Sequence, residues 1–242
     1  MGWQDDQIVA KGKRKWEADP IVARVASQAA PASPGKPAID IRPGAGAPAI
    51  LATSANPYSQ GRYPLGRIFT VGDEASFRET DVLTGAEKRT YTFRVTRVDA
   101  EADRVEINDG IVVMDLMGNA LKLGNVEFDA PPQFAPSEFQ LGKKWRVAFV
   151  RTESGKVTKA YYDVHIARRE KVAVPAGEFD AFMLESQGWN ITYSARLEVN
   201  LWLVPGLQYA VKREWVTRDR WGRFTNTERH ELASIRQQAI GL

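Results

Sequence analysis

The 242-residue sequence contains no cysteine and only two histidines, His165 and His230. The lack of cysteine excludes disulfides, thiolate metal sites and a cysteine nucleophile. With two histidines, a metal centre built mainly from imidazoles is excluded as well. The sequence therefore predicts neither a metal ion nor a cofactor.

Long apolar runs are also missing. No stretch approaches the ~18 residues that a transmembrane helix needs, so no transmembrane segment is expected. The first 16 residues lack the apolar region of a secretory signal, which favours either a cytoplasmic protein or one whose signal was removed before residue 1. The net charge of +3 is a mild excess without a concentrated basic face, so nucleic-acid binding is not expected.

Residues 1–60 have the composition of an extended arm, because seven of the thirteen prolines lie there and large apolar side chains are few. Asp19 and Pro20 begin at most one short helix, as N-cap and first helical residue. The apolar residues available to anchor the arm are Ile21, Val22, Val25, Ile39 and Ile41. The last two alternate like a strand that could add to a sheet edge. We predict that the arm docks on a protein partner or on a neighbouring subunit.

From about residue 62 onward, apolar and polar residues alternate with period two, and Gly-containing turns separate the runs. The clearest inward-facing sets are Tyr91, Phe93 and Val95; Tyr162, Val164 and Ile166; and Leu197, Val199, Leu201 and Leu203. A weak repeat with an offset of 70 aligns Gly72 with Gly142 and Gly85 with Gly155. We predict an all-β fold, an antiparallel β-roll or half-barrel of two related units, residues 61–135 and 136–242, with the packing of both units as one domain left open.

The stretch VAVPAGEFDAF, residues 172–182, is interpreted as a hairpin corner. Pro175 fixes φ at the turn, and Gly177 can adopt a positive φ. A nucleophile elbow needs Ser, Cys or Asp at its apex, whereas the apex here is Ala176. We therefore predict a structural role for this motif.

The same motif, followed by LWLVPGLQYAVKREW, resembles the β domain of bacterial envelope proteins of the DUF3108 type. The longer frame, residues 56–238, is similar to the C-terminal domain attached to some bacterial caspase-like proteins. The positions that match structurally are Pro175, Gly177, Phe179, Trp202, Pro205, Gly206 and Lys212. The resemblance implies a periplasmic or cell-envelope location and attaches no defined activity, with cytoplasm as the alternative because no signal is visible.

Few residues suggest chemistry. His165 shares a strand face with Asp163, and His230 lies between Arg229 and Glu231. Both histidines are interpreted as exposed strand positions rather than general bases, so no catalytic residue is assigned. The turn with Arg220, Trp221 and Arg223 is the most suggestive exposed surface, because exposed Trp and Arg side chains are typical of interface anchors.

Three functions remain open. The preferred one is a non-catalytic interaction or assembly module of the bacterial envelope. The alternative is a lipid or small-ligand carrier that uses the concave face of the sheet, and the third is a hydrolase. A carrier requires a continuous apolar cavity, whereas an interaction module requires a packed interior and an arm that another chain holds.

Overall fold

The computed structural model describes residues 39–43 and 63–239, whose regular elements are all β-strands, as predicted. The strands are β1 (Ile39–Ile41), β2 (Tyr63–Pro64), β3 (Glu74–Asp81), β4 (Glu87–Asp99), β5 (Arg104–Ile107), β6 (Val112–Met114), β7 (Ala120–Leu123), β8 (Val126–Phe128), β9 (Glu138–Phe139), β10 (Lys144–Glu153), β11 (Lys156–Val174), β12 (Gly177–Asn190), β13 (Ala195–Leu203), β14 (Lys212–Arg218) and β15 (Phe224–Gln237). Within these residues, no helix of the length and apolarity needed to cross a membrane is found.

Twelve of these strands close into an antiparallel barrel. Its order is β15, β14, β13, β12, β11, β10, β8, β7, β6, β5, β4 and β3, and β3 pairs with β15 again. The predicted open roll or half-barrel is therefore wrong. Closure depends on the length of β15, because its residues 224–231 pair with β14 while residues 228–236 pair with β3. Pairing on both sides satisfies the main-chain groups that an open sheet leaves free at its edges.

Strand β1 adds to β15 beyond the point where β14 ends, with Ile39 opposite Gln237 and Ile41 opposite Ile235. The predicted edge addition by these two isoleucines therefore occurs, but on the chain's own barrel. Both side chains are buried in its core, so they offer no surface to another chain. The rest of the predicted arm, including Ile21, Val22, Val25 and the short helix, lies outside the described residues.

The weak sequence repeat corresponds to repeated hydrogen bonding. Gly72 N donates to Val95 O at 2.9 Å, and Gly142 N donates to Ile166 O at 2.8 Å. Both glycines have positive φ, 92° and 82°. Each therefore starts a strand pair in the same way, β3–β4 in the first copy and β10–β11 in the second. Both predicted β units contribute strands to the one closed sheet.

The hairpin of β11 and β12 continues past a bulge between Ile166 and Arg168 and reaches β15, where Ala176 N donates to Leu232 O at 2.9 Å. Beside it, Trp202 is buried on the outer side of β13. Its Nε1 donates to Glu170 at 2.7 Å, and the Lys212 ammonium lies 4.4 Å from the centre of its ring. The motif residue Trp202 thus links β13 to Glu170 on β11 and to Lys212 on β14.

The corner of this hairpin has the predicted geometry. Val174 pairs with Gly177 across a two-residue turn, and Gly177 has a φ of 137°. The next motif glycine, Gly206, has a φ of 82° and donates its N–H to Leu65 O at 2.8 Å. The positive φ predicted for Gly177 is confirmed.

We expect Gly177→Val to lower the free energy of unfolding by about 1 kcal/mol or more, because a β-branched residue is strained at positive φ. Urea unfolding monitored by circular dichroism measures this change. Glu178→Val is the matched control at the neighbouring exposed strand position and should change stability by less than about 0.5 kcal/mol. Equal effects of the two substitutions would contradict the strain argument.

Candidate functional site

The barrel encloses a cavity of about 550 Å³. A barrel of about eight strands is just filled by its own side chains, so twelve strands leave interior space. Aromatic residues form much of the wall: Phe77, Tyr91, Phe93, Phe128, Phe134, Phe149, Tyr162, Tyr209 and Trp215. Strand β13 adds Leu197, Val199, Leu201 and Leu203, the inward-facing set predicted from its alternation. The volume falls within the range of about 300–1,000 Å³ typical of small-molecule sites.

One end of the cavity is closed by the segment before β3. There Arg67 donates from Nε to Leu207 O at 3.1 Å and from Nη1 to Met117 O at 2.6 Å. Burial lowers the pKa of the Arg67 guanidinium to about 10, so the group stays protonated at neutral pH. Gly118 has a φ of 82°, and a Cβ there would lie 2.5 Å from Arg67 Nη1. Glycine at this position therefore lets the arginine reach the base of the cavity.

The opposite end of the cavity faces a rim of hairpin turns. Its lining reaches Glu153, Asn190, Thr217 and Thr225, each within two residues of a turn at this end. The exposed large apolar side chains at this rim are Leu83, Ile111, Val157, Trp189, Ile191, Tyr193, Trp221 and Phe224; Val71 is the one other such exposed residue of the described chain. Large exposed apolar patches mark interaction sites and ligand-binding grooves. This rim is therefore the best candidate for the entrance to the cavity.

A polar cluster lies on the inner wall around His230, which is only 5% exposed. Its Nδ1 lies 3.0 Å from the Tyr91 hydroxyl and 3.9 Å from Glu79 Oε2, and its Nε2 lies 3.6 Å from Glu228 Oε2. The prediction that His230 is an exposed strand residue is wrong. The polar partners on β3 and β4 allow an imidazole to occupy a buried position on β15.

Glu79, Glu228 and His230 are also the one group of described side chains arranged as metal ligands, with donor atoms within 4.8 Å of one another. Arg89 Nε donates to Glu79 Oε2 at 2.7 Å and neutralises that carboxylate. One of the three candidate ligands is therefore already engaged by a protein cation.

Burial lowers the pKa of His230, so we expect its imidazole to be neutral at pH 7. The unfolded chain then binds a proton there more tightly than the folded protein. The free energy of unfolding should fall as the pH drops below about 6.5, the ordinary histidine value. We expect His230→Gln to lose part of this dependence in urea unfolding measured at pH 7 and pH 5. Parallel pH profiles for the two proteins would contradict the prediction.

Five of the seven buried side-chain atoms without a hydrogen-bond partner among the described residues belong to residues lining the cavity. They are Gln208 Oε1, Tyr209 OH, Arg213 Nε, Trp215 Nε1 and His230 Nε2. Buried polar atoms are normally paired. Their concentration on one wall therefore indicates that the cavity is suited to a molecule with polar groups of its own.

The predicted turn residues Arg220, Trp221 and Arg223, and His165 with them, lie outside the lining of the cavity. Trp221 is 63% exposed at the β14–β15 turn, with the guanidinium groups of Arg220 and Arg223 at 4.0 and 4.8 Å from the centre of its ring. Contact of this turn with a protein partner stays a prediction. His165 lies on the outer face, 3.4 Å from Glu185 Oε2.

Sequence reasoning did not identify Arg213 as part of an interior site. The signal was present in part, because Arg213 lies between Val211 and Trp215 on the strand face that the alternation assigns to the core. An arginine at such a position is more often a solvated residue of a hairpin, so the alternation alone does not assign it to an interior site. The structure places Arg213 opposite His230 on β15 and in the cavity wall.

Fold and site together define a hollow antiparallel β-barrel with an apolar mouth and an interior cavity. One similar solved structure is "a putative exported protein with YmcC-like fold" from Bacteroides fragilis, with 13% identity, a TM-score of 0.44, and 72% of this chain and 100% of that chain covered. Another is the hypothetical lipoprotein YmcC from Escherichia coli, with 9% identity, a TM-score of 0.42, and 66% and 83% covered. No protein-family model and no curated protein matches the sequence. The DUF3108-type resemblance and the link to caspase-like proteins are not shown by these comparisons.

Proposed function

We propose that the protein is a non-catalytic binding protein that holds a small, mainly apolar ligand inside its barrel. The observation that carries this proposal is the cavity of about 550 Å³ with its aromatic and aliphatic wall. An apolar ligand that enters this space displaces water from the aromatic and aliphatic wall at a gain in free energy.

The mouth of the cavity supports the same proposal. An apolar ligand entering the barrel passes Trp221, Tyr193 and Ile191, all more than half exposed on the hairpin turns. Exposing such side chains to water is unfavourable for folding and solubility. Their position around an open cavity is explained if the rim admits apolar molecules.

Titration with the neutral fluorescent probe 1-aminoanthracene tests this function. We expect a blue-shifted emission that saturates at one probe per chain, because the probe moves from water into an aromatic cavity. The control is the same titration in a urea concentration that unfolds the barrel, where the signal should be lost. A weak signal that rises linearly in both conditions would reject interior binding.

The absence of catalysis is part of the proposal. In the described residues, His230 is hydrogen-bonded to Tyr91, and its other charged neighbours are Glu79, Glu228 and Arg213, so the arrangement lacks a serine or threonine nucleophile. Assays with p-nitrophenyl esters of several chain lengths test this point. Turnover by the native protein that His230→Gln abolishes would reverse it.

An envelope location and assembly through the arm are proposed from sequence alone. Cell fractionation of a bacterium that expresses the native gene tests the location. For assembly, the full chain carrying Ile21→Asp and Val25→Asp should lose the partner or oligomer seen with the native chain by light scattering. If the double variant has the same molar mass as the native chain, both in a native cell extract and after purification, docking through these residues is rejected.

A further inference from the structure

We propose that the ligand carries a monoanionic head group, such as a carboxylate, and that Arg213 and Trp215 bind this group inside the barrel. The inference rests on the proposed function, since it names the chemistry of the molecule that the cavity holds. It is carried by the charged and polar atoms of the wall rather than by the size of the cavity.

Arg213 is a cation that lacks a counter-charge among the described residues. It lies in the cavity wall on β14, between Leu201 on β13 and His230 on β15. No described carboxylate lies within salt-bridge distance of its guanidinium, and its buried Nε has no hydrogen-bond partner there. The Arg213 side chain is half-buried and its Nε is shielded from water, and a guanidinium in such a position is stabilised by an anion and by acceptors for its N–H groups. A ligand carboxylate supplies both, in the two-pronged geometry that arginine favours.

A second donor lies on the same face of the same strand. Trp215, two residues beyond Arg213, has a buried Nε1–H without an acceptor among the described residues. Indole nitrogen only donates, so its partner must be an acceptor oxygen. Adjacent donors without acceptors on one strand favour a head group made of acceptor oxygens over an alcohol or amine.

The other charged side chains around the cavity favour a ligand head group with one negative charge rather than two. The ionised side chains in its lining are Arg67, Arg151, Arg213, Glu153 and Glu228, a net charge of +1 with neutral His230. Arg151 lies 3.6 Å from Glu153, and Glu79, which is not a lining residue, is paired with Arg89. A monoanion therefore neutralises the lining, whereas a dianion would leave excess negative charge beside Glu228.

Displacement of bound 1-aminoanthracene by dodecanoic acid and by 1-dodecanol at pH 8 tests the head group. We expect the native protein to bind the acid about tenfold more tightly or better. Arg213→Gln should lose this preference, because it weakens binding of the acid more than binding of the alcohol. Trp215→Phe, which keeps a ring and removes the N–H, should reduce the preference by about threefold. Arg94→Gln on the exposed outer face is the matched control and should behave as the native protein.

Each outcome separates the two proposals. If the acid and the alcohol displace the probe equally well from the native protein, the head-group inference is overturned and the binding function stands. If Arg213→Gln folds and keeps the acid preference, Arg213 is not the anion site. If Arg213→Gln does not fold, Trp215→Phe is the deciding variant. An unchanged preference for the acid in Trp215→Phe then overturns the proposal that Arg213 and Trp215 bind the head group together. Absence of saturable probe binding rejects the proposed function itself.

Discussion

Replacing Gly188 by alanine is expected to lower the free energy of unfolding by about 3 kcal/mol or more. Gly188 lies in β12, opposite Tyr162 in β11 and Leu197 in β13. A Cβ built on it would lie 1.8 Å from the Tyr161 carbonyl oxygen and 2.8 Å from Tyr162 Cα. These are backbone atoms of the neighbouring strand, which cannot move aside like the end of a flexible side chain. The methyl group therefore has to push β11 and β12 apart.

Gly155→Ala is the matched control for this prediction. Gly155 has a φ of 77°, and a Cβ there would meet nothing within 4 Å, so its substitution adds only conformational strain of about 1 kcal/mol. Urea unfolding of both variants compares the free-energy cost of steric overlap at Gly188 with that of conformational strain at Gly155. If Gly188→Ala costs no more than Gly155→Ala, the close approach of β11 and β12 is not as described.

Filling the cavity is expected to abolish probe binding, with a loss of affinity of about 100-fold or more. Val199 faces the cavity from the middle of β13, and Ala160 faces it from β11. Val199→Trp and Ala160→Phe each place an aromatic ring in the space that a ligand needs. Because the new ring occupies a cavity instead of packed core, we expect the folded barrel to persist in both variants. Circular dichroism and thermal unfolding check this point.

Asn200→Trp is the control for the same strand. Asn200 follows Val199 and faces outward, opposite Glu214 and Glu185, so an added ring there leaves the cavity unchanged. We expect its titration with 1-aminoanthracene to match that of the native protein. Equal loss of binding in Asn200→Trp and Val199→Trp would show that the probe binds elsewhere or responds to general destabilisation.

Much of the local structure could be predicted from the sequence. Strict alternation predicted the inward faces of β4, β11 and β13, since residues such as Phe93, Tyr162 and Val199 face the interior. Turn residues were equally informative, because Gly85, Gly155 and Gly222 all have positive φ. These features depend on a few neighbouring residues, and a short stretch of sequence contains the information that determines them.

Closure and the hollow interior could not be predicted in the same way. Closure depends on the pairing of β15 with β3, which lie about 150 residues apart and carry no local signature of their partner. Alternation shows that a side chain faces inward but not whether another side chain meets it across the barrel. The burial of His230 and the position of Arg213 in the cavity wall depend on residues of other strands. The neighbouring residues in the sequence do not reveal them.

The most direct test of the interior binding site is a crystal structure of the protein grown with dodecanoic acid. The account predicts electron density for the alkyl chain inside the barrel, against Val199 and Leu201, with the carboxylate at Arg213 and Trp215. Density for the acid only on the outer surface, or a barrel interior that holds only water under saturating conditions, would contradict the claim that this barrel binds its ligand inside.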